Sequence, residues 1–365
     1  MCWNSFKCLS KTRPRAIVAV FIALMLFCCV YGCQEKADQN KPDVINLKFS
    51  SAYIPSDWPN TAANHALDLV EKKTNGRVKI DRFMGGVLGS IPEHLDMVSS
   101  GAVDIIPLHV DQFSQQLPLH KILNTEQFVS SEQALANITA ITMEIPETKA
   151  ILDAEQQRNN IKILYWHVVG ASGITTRFPA KSLSDLKGRK INVITGFQRK
   201  VFGELGIIPV NVQVSELYES LSRGIIDSIY MGTVAAVPSK WYEVGETHLI
   251  LGDNTVVSIP ITLNLDRWNS LPEDIKQAFL EASEETARWT IEEMQRIVEN
   301  TYEIFDKSGV EIANVSRDES NNFFEVFSRH ATEDWLNNAK EMGVNEEASV
   351  IQKYWDDMKW GRWTK

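Results

Sequence analysis

Cysteine is absent from almost the whole chain: all five (Cys2, Cys8, Cys28, Cys29, Cys33) fall in the first 33 of 365 residues. No disulfide can then staple the folded body, and no thiol there can act as nucleophile or metal ligand. Basic runs are also missing. Lys plus Arg number 37 against 47 Asp plus Glu, a formal charge of −10, so there is no phosphate-binding face and nucleic acid is excluded as a partner. The seven histidines (65, 94, 109, 120, 167, 248, 330) never recur at three- or four-residue spacing, which removes the helix-borne zinc site. Gly170-Ala-Ser172-Gly173 lacks the spacing of a nucleophile elbow, and Gly85-Gly-Val-Leu-Gly89 lacks the lysine of a phosphate loop. Glu284-Glu285 and Glu292-Glu293 read as solvated helix faces. Nothing in the sequence asks for an enzyme, a metal or a cofactor.

The longest apolar run, Ala16 to Phe27, is too short for a spanning helix, and Lys7, Lys11, Arg13 and Arg15 precede it. That is the pattern of a secretory signal. Val30-Tyr-Gly-Cys33 resembles the lipobox of bacterial lipoproteins, with Tyr31 where that motif usually has a small residue, and the polar stretch Gln34 to Asp43 suits a tether. The expectation is a signal peptide over 1–32, lipidation at Cys33, a tether over 33–43, and residence in the periplasm or on the outer face of the cell membrane. Cleavage before Cys33 removes those four positive charges and no negative ones, leaving 333 residues at −14.

The body alternates strand and helix signals. Val44 to Phe49 has period two; Ala63, Leu67 and Val70 take helical spacing up to Asn75-Gly76; Val78 to Ile80 is a strand. Ser90-Ile-Pro-Glu93 is a capping box, and Ala102 to Leu108 is a strand after Gly101. This is the rhythm of an α/β sheet. The unit recurs: Gly76-Arg77 and Gly101-Ala-Val-Asp104 find counterparts in Gly188-Arg189 and Gly224-Ile-Ile-Asp227, as two similar lobes would produce. From Asn269-Ser-Leu-Pro-Glu273 an apolar stripe runs through Ile275, Phe279, Ala282, Met294 and Val298 toward Phe305, a helix of about 50 Å that is long enough to cross two lobes. A strand over Val310 to Val315 and helices over Asp318 to Met342 and Asn345 to Trp360 complete the chain.

In such a fold small solutes settle where strands end. The candidates are Tyr53 and Trp58 after the first strand, His109 after Ala102 to Leu108, Ser172 and Arg177 after Ile161 to Val169, Asn192 to Thr195, and Tyr230-Met231 after Ile225 to Ile229.

These segments together resemble the DctP family, the solute-binding proteins of tripartite ATP-independent periplasmic (TRAP) transporters. The resemblance rests on Thr74-Asn-Gly-Arg-Val with Gly86-Val-Leu-Gly89, Pro179-Ala-Lys-Ser-Leu-Ser-Asp-Leu-Lys-Gly188, Leu205-Gly-Ile-Ile-Pro-Val210, and Glu216 to Asp227. Lys240-Trp-Tyr-Glu-Val244 with His248, and Asn264-Leu-Asp-Arg-Trp268 before Leu271-Pro272, add to it. It implies an α/β, two-lobed periplasmic-binding-protein fold with a long helix spanning both lobes. Lobe I would take 44–169 with about 259–300, lobe II 170–258 with about 301–350, and 351–365 would end the last helix. The implied function is an extracytoplasmic receptor that captures a small organic solute by lobe closure and delivers it to a TRAP membrane permease. Alternatives are a receptor for an ATP-driven importer and an envelope lipoprotein with a sensory or hydrolytic role.

Family members that bind carboxylates present an arginine in the strand after Asp-Leu-Lys-Gly, a second arginine two residues after a glycine, and an asparagine after the Gly-x-x-Asp strand. Here Asn192, Ser172 and Met231 stand at those positions. Since an unpaired carboxylate is costly to bury, either Arg177 or Arg199 takes over or the solute departs from the dicarboxylate default. In the second case Tyr53, His109, Ser172, Asn192 and Tyr230 would hydrogen-bond a neutral or cationic solute, with Thr195, Met231 and Trp241 completing the site.

Overall fold

The computed structural model describes residues 44–252 and 257–358. The expected signal peptide over 1–32, the expected lipidation site Cys33 with the tether to residue 43, and the chain end after residue 358 lie outside the described residues.

The first strand, β1 (Ile45–Ser50), buries Leu47 and Phe49 and exposes Asn46 and Lys48, as its period-two pattern requires. Helix α1 (Trp58–Lys73) starts with Pro59 in its first turn and buries Ala62, Ala63, Ala66, Leu67 and Val70. Then come β2 (Val78–Phe83), the Ser90/Glu93 capping box with α2 (His94–Ser99), and β3 (Ile105–Pro107). Strand β3 is shorter than Ala102 to Leu108, because Gly101 (φ +75°) turns the chain and Ala102-Val103 complete that turn. Helices α3 (Ser131–Thr139) and α4 (Pro146–Arg158) lead to β4 (Ile161–Val169).

A second set follows: β5 (Ser172–Thr176), β6 (Lys190–Val193), α5 (Gly196–Glu204), β7 (Ile208–Asn211), α6 (Leu217–Ser222), β8 (Ser228–Gly232), β9 (Thr247–Ile250). The chain ends with β10 (Val257–Asn264), α7 (Leu265–Ser270), α8 (Glu273–Lys307), β11 (Glu311–Asn314), α9 (Arg317–Glu341) and α10 (Asn345–Met358). Two sheets result, ordered β2-β1-β3-β10-β4 and β11-β9-β5-β8-β6-β7. The chain crosses between them from β4 to β5, from β9 to β10, and along α8.

The two sheets share an internal repeat, in a different register from the one the glycines suggest. Asp104 donates its N–H to the Lys48 carbonyl (2.9 Å) and accepts from the Lys48 N–H at Oδ2 (2.7 Å). Asp227 does the same to Lys190, at 2.8 and 2.9 Å. So β1, β2 and β3 correspond to β6, β7 and β8, and Gly101 and Gly224 (φ +75° and +71°) are true counterparts. Gly76-Arg77 leads into β2, however, whereas Gly188-Arg189 leads into β6, the counterpart of β1. The partner of Gly76 is Gly206, which precedes β7. The Asp227 clamp also explains why β8 begins at Ser228 and not at Ile225: residues 225–227 form the turn that brings the carboxylate to Lys190. Tyr230 and Met231 therefore lie within the strand.

Helix α8 has 35 residues, about 50 Å. Ile275, Phe279 and Ala282 pack into the first sheet's core, and Phe305 packs into a core of the second. Between them Met294 presses so closely on the β4–β5 link that a Cβ on Gly170 would lie 2.5 Å from its Cγ. Helix α9 also bridges: Phe323 and Phe327 join the second sheet's core, while Trp335 and Ala339, with Ala348, Ile351 and Trp355 of α10, join the first. The sequence grouping placed about 301–350 with lobe II. A helix of 25 residues is long enough to leave one core and enter the other.

Candidate functional site

Apart from the antiparallel β5 and β10, which present their amino ends, the strands turn their carboxyl ends to the junction of the two sheets. Gly232, which ends β8, has Val169, which ends β4, within 4.0 Å of its Cβ position, and the Thr233 N–H donates to the Ala171 carbonyl at 2.8 Å.

On the first sheet's side, Tyr53 follows β1 and His109 follows β3, and the Tyr53 hydroxyl bonds His109 Nε2. His109 Nδ1 lies 3.7 Å from Asp111 Oδ1. Burial, with the charges of Asp111 and Asp57, pushes the Tyr53 phenol up, so the phenol keeps its proton. For Asp111, burial pushes upward, but the nearby His109, together with the hydrogen bond from Gln112, outweighs it and holds the carboxyl below its usual range. Trp58 anchors the wall beside them. Its Nε1 donates to the Val168 carbonyl at 2.9 Å, and its ring stacks on Trp289 of α8 (centroids 5.9 Å), which in turn stacks on His65 at 4.0 Å.

On the second sheet's side, Ser172 opens β5 beside Tyr230 on β8. Both hydroxyls reach one carboxylate, Glu126, supplied by the segment after residue 124: Ser172 Oγ donates to Oε1 at 2.8 Å, and the Tyr230 hydroxyl donates to Oε2. Burial raises the Glu126 carboxyl, the two hydroxyl bonds opposing it, and burial plus the Glu126 charge drives the Tyr230 phenol upward. Asn192 is occupied otherwise than expected. It is 1% exposed, its Oδ1 accepts the Tyr230 N–H at 2.7 Å, and its Nδ2 donates to the Tyr230 carbonyl at 3.4 Å. It pins β8 to β6 and so sets where the Tyr230 ring stands.

Of the remaining candidates, Thr195 is the N-cap of α5, its N–H on Gln198 Oε1 at 3.2 Å, and Met231 is half-buried beside the core. Arg177 follows the far end of β5. The strands are antiparallel with Ser172 opposite Gly232 and Thr176 opposite Ser228, so Arg177 sits at the other end of the strands from Ser172, 4.0 Å from Asp227. It cannot stand in for an arginine at 172. Arg199 is exposed on α5. Trp241 is 2% exposed and packs with Leu217, Leu221 and Phe305, a core residue and not a wall of the site.

Glu126 escaped the sequence reading because Thr125-Glu-Gln-Phe128 has no periodicity and no motif; only tertiary contact with two distant strands marks it. His167 escaped because it sits in the apolar alternation of β4. Burial takes both His167 and His248 down to about 3. Unfolding returns each to about 6.5, so below that pH the unfolded chain binds protons that the folded one refuses. Stability is expected to fall on acidification from pH 6.5 toward 4, each imidazole contributing up to about 1.4 kcal/mol per pH unit. Urea midpoints across that range measure the slope, and His248→Gln should make it shallower by about that amount. An unchanged slope would contradict the burial account.

The fold and the site can be set beside known proteins. The family described as bacterial extracellular solute-binding protein, family 7 (DctP) matches residues 49–336. A solute-binding protein of Sulfitobacter sp. is 25% identical over 61% of this chain and 66% of its own length. The 2,3-diketo-L-gulonate-binding periplasmic protein of Escherichia coli is 23% identical over 73% of this chain and 80% of its own. Among solved structures, a TRAP periplasmic solute-binding protein from Desulfovibrio salexigens superposes with a TM-score of 0.75 at 22% identity, covering 88% of this chain and 98% of that one. It is an open complex with the C-terminus of a symmetry mate in its ligand-binding site.

Proposed function

Because the chain belongs to the DctP family of bacterial extracellular solute-binding proteins, we propose that it captures a small organic solute between its two lobes and delivers it to a TRAP membrane permease. The observation that carries this reading is the junction of two α/β sheets at their carboxyl ends, with Tyr53 and His109 beside one and Ser172 and Tyr230 on the other. A solute touching both sets bonds fully only when the lobes are together, so its binding energy shifts the population toward closure. The β4–β5 link is the hinge of this reading, and α8, packed into a core of each sheet, spans it. Lobe I would comprise 44–169 with about 259–300, and lobe II 170–258 with about 301–350, the later part of α9 reaching back to the first core. Lipidation at Cys33 would hold the receptor at the membrane. Turnover has no part in this cycle.

The test is a thermal-shift screen of the purified protein against organic acids, keto acids, amines, amino-acid derivatives and sugars. A compound at 100 times its dissociation constant should stabilise the fold by about 2.7 kcal/mol, a shift of several degrees. A melting temperature unmoved by the whole set, or chemical conversion of the compound that binds, would contradict the receptor reading.

A further inference from the structure

The charge at the junction has the opposite sign to that of a carboxylate-binding site. The two positions at which the resemblance to carboxylate-binding family members implies arginine hold Ser172 and Asn192, and the charged group beside Ser172 and Tyr230 is Glu126. Its carboxylate bonds two neutral hydroxyls, one on each oxygen, and among the described residues no lysine, arginine or histidine pairs with it. A carboxylate offers about four acceptor positions, so two remain for a further donor. Arg177 lies at the far end of the same strands beside Asp227 and cannot reach it.

We propose that Glu126 is a ligand-binding residue and that the solute carries a protonated amine, which Glu126 receives as its counter-ion. This rests on the receptor reading above. Two features favour an ammonium over a carboxylate. A second carboxylate beside Glu126 would meet like charge in a desolvated site, whereas an ammonium brings three N–H donors to oxygens that still have acceptor capacity. The carboxylate is also aimed in advance. Asn192 locks the Tyr230 backbone through both of its amide atoms, and Tyr230 with Ser172 fixes one Glu126 oxygen each, so little side-chain freedom is left to lose on binding. The class of solute is therefore a small primary or secondary amine, amino acids and other zwitterions included.

The experiment is calorimetric titration of the purified protein with two matched sets of three- to six-carbon compounds, one of aliphatic amines and amino acids and one of mono- and dicarboxylates. Binding is expected in the amine-bearing set alone. Glu126→Gln, which keeps the shape and can still accept from a hydroxyl, should weaken the tightest amine at least 100-fold with the melting temperature held within a few degrees. Should that variant fail to fold, Ser172→Arg decides, since a guanidinium at 172 would occupy the carboxylate and abolish amine binding. Tight binding of a plain carboxylate that Glu126→Gln leaves unchanged or strengthens overturns the amine assignment and leaves the receptor reading standing. Silence from both sets overturns the amine assignment, and the wider thermal-shift screen then decides the receptor reading separately.

Discussion

Glu155→Ala is expected to destabilise the protein by about 3–5 kcal/mol, the cost of removing one member of a buried pair. Glu155 on α4 and His120 are both fully buried, and His120 Nδ1 lies 2.6 Å from Glu155 Oε2. The same carboxylate also accepts the backbone N–H groups of Leu119 and His120, each at 3.0 Å. Alanine would leave three donors without a partner inside the protein, and a buried donor left unmade costs more than the bond contributed. Glu155→Gln keeps one acceptor and should lie between. Urea unfolding followed by circular dichroism measures the loss, and a change below about 1 kcal/mol would show that water reaches these donors. There is a functional reading too. Residues 119–120 lead within a few residues to Glu126, so the variant should also loosen the Glu126 carboxylate and weaken solute binding at temperatures where the fold survives.

Trp335→Ala should cost about 3–5 kcal/mol for a different reason, the cavity left by a large core side chain. Trp335 on α9 is 1% exposed, packs with the first sheet's core, and donates from Nε1 to the Pro118 carbonyl at 2.8 Å. Its neighbours act on the same stretch: Lys121 pairs with Asp334 at 2.6 Å, and Asn338 Nδ2 donates to the Ser114 carbonyl at 2.8 Å. Residues 114–121 are thus held by α4 through Glu155 and by α9 through Trp335. Trp335→Phe keeps most of the apolar volume and loses the hydrogen bond, about 1 kcal/mol. Hydrogen exchange should locate the damage, with protection falling in α9 and α10 and over 114–128 before it falls in the second sheet. Uniform loss across both sheets would show that the two cores unfold as one.

The sequence by itself determined the elements and the architecture. Local signals are short in range and strong here: the alternation in β4, the capping box at Ser90, the proline at the start of α1, and a stripe that keeps helical spacing over 35 residues of α8. It also places Ser172 and Asn192 where the resemblance to carboxylate-binding family members implies arginine. The tertiary structure decided the rest. The register of the repeat depended on which backbone groups Asp104 and Asp227 grip, and those lie 56 and 37 residues away in the chain. Arg177 lies five residues after Ser172, just past the other end of β5, and therefore at the opposite end of the strands from it, a separation that sequence proximity conceals. Trp241 sits in a motif yet fills a core, and Asn192 spends its amide on a strand. Glu126 meets Ser172 and Tyr230 across 46 and 104 residues, without local periodicity to announce it. Electrostatic partners are chosen by distance in space, and only the packed fold sets that distance.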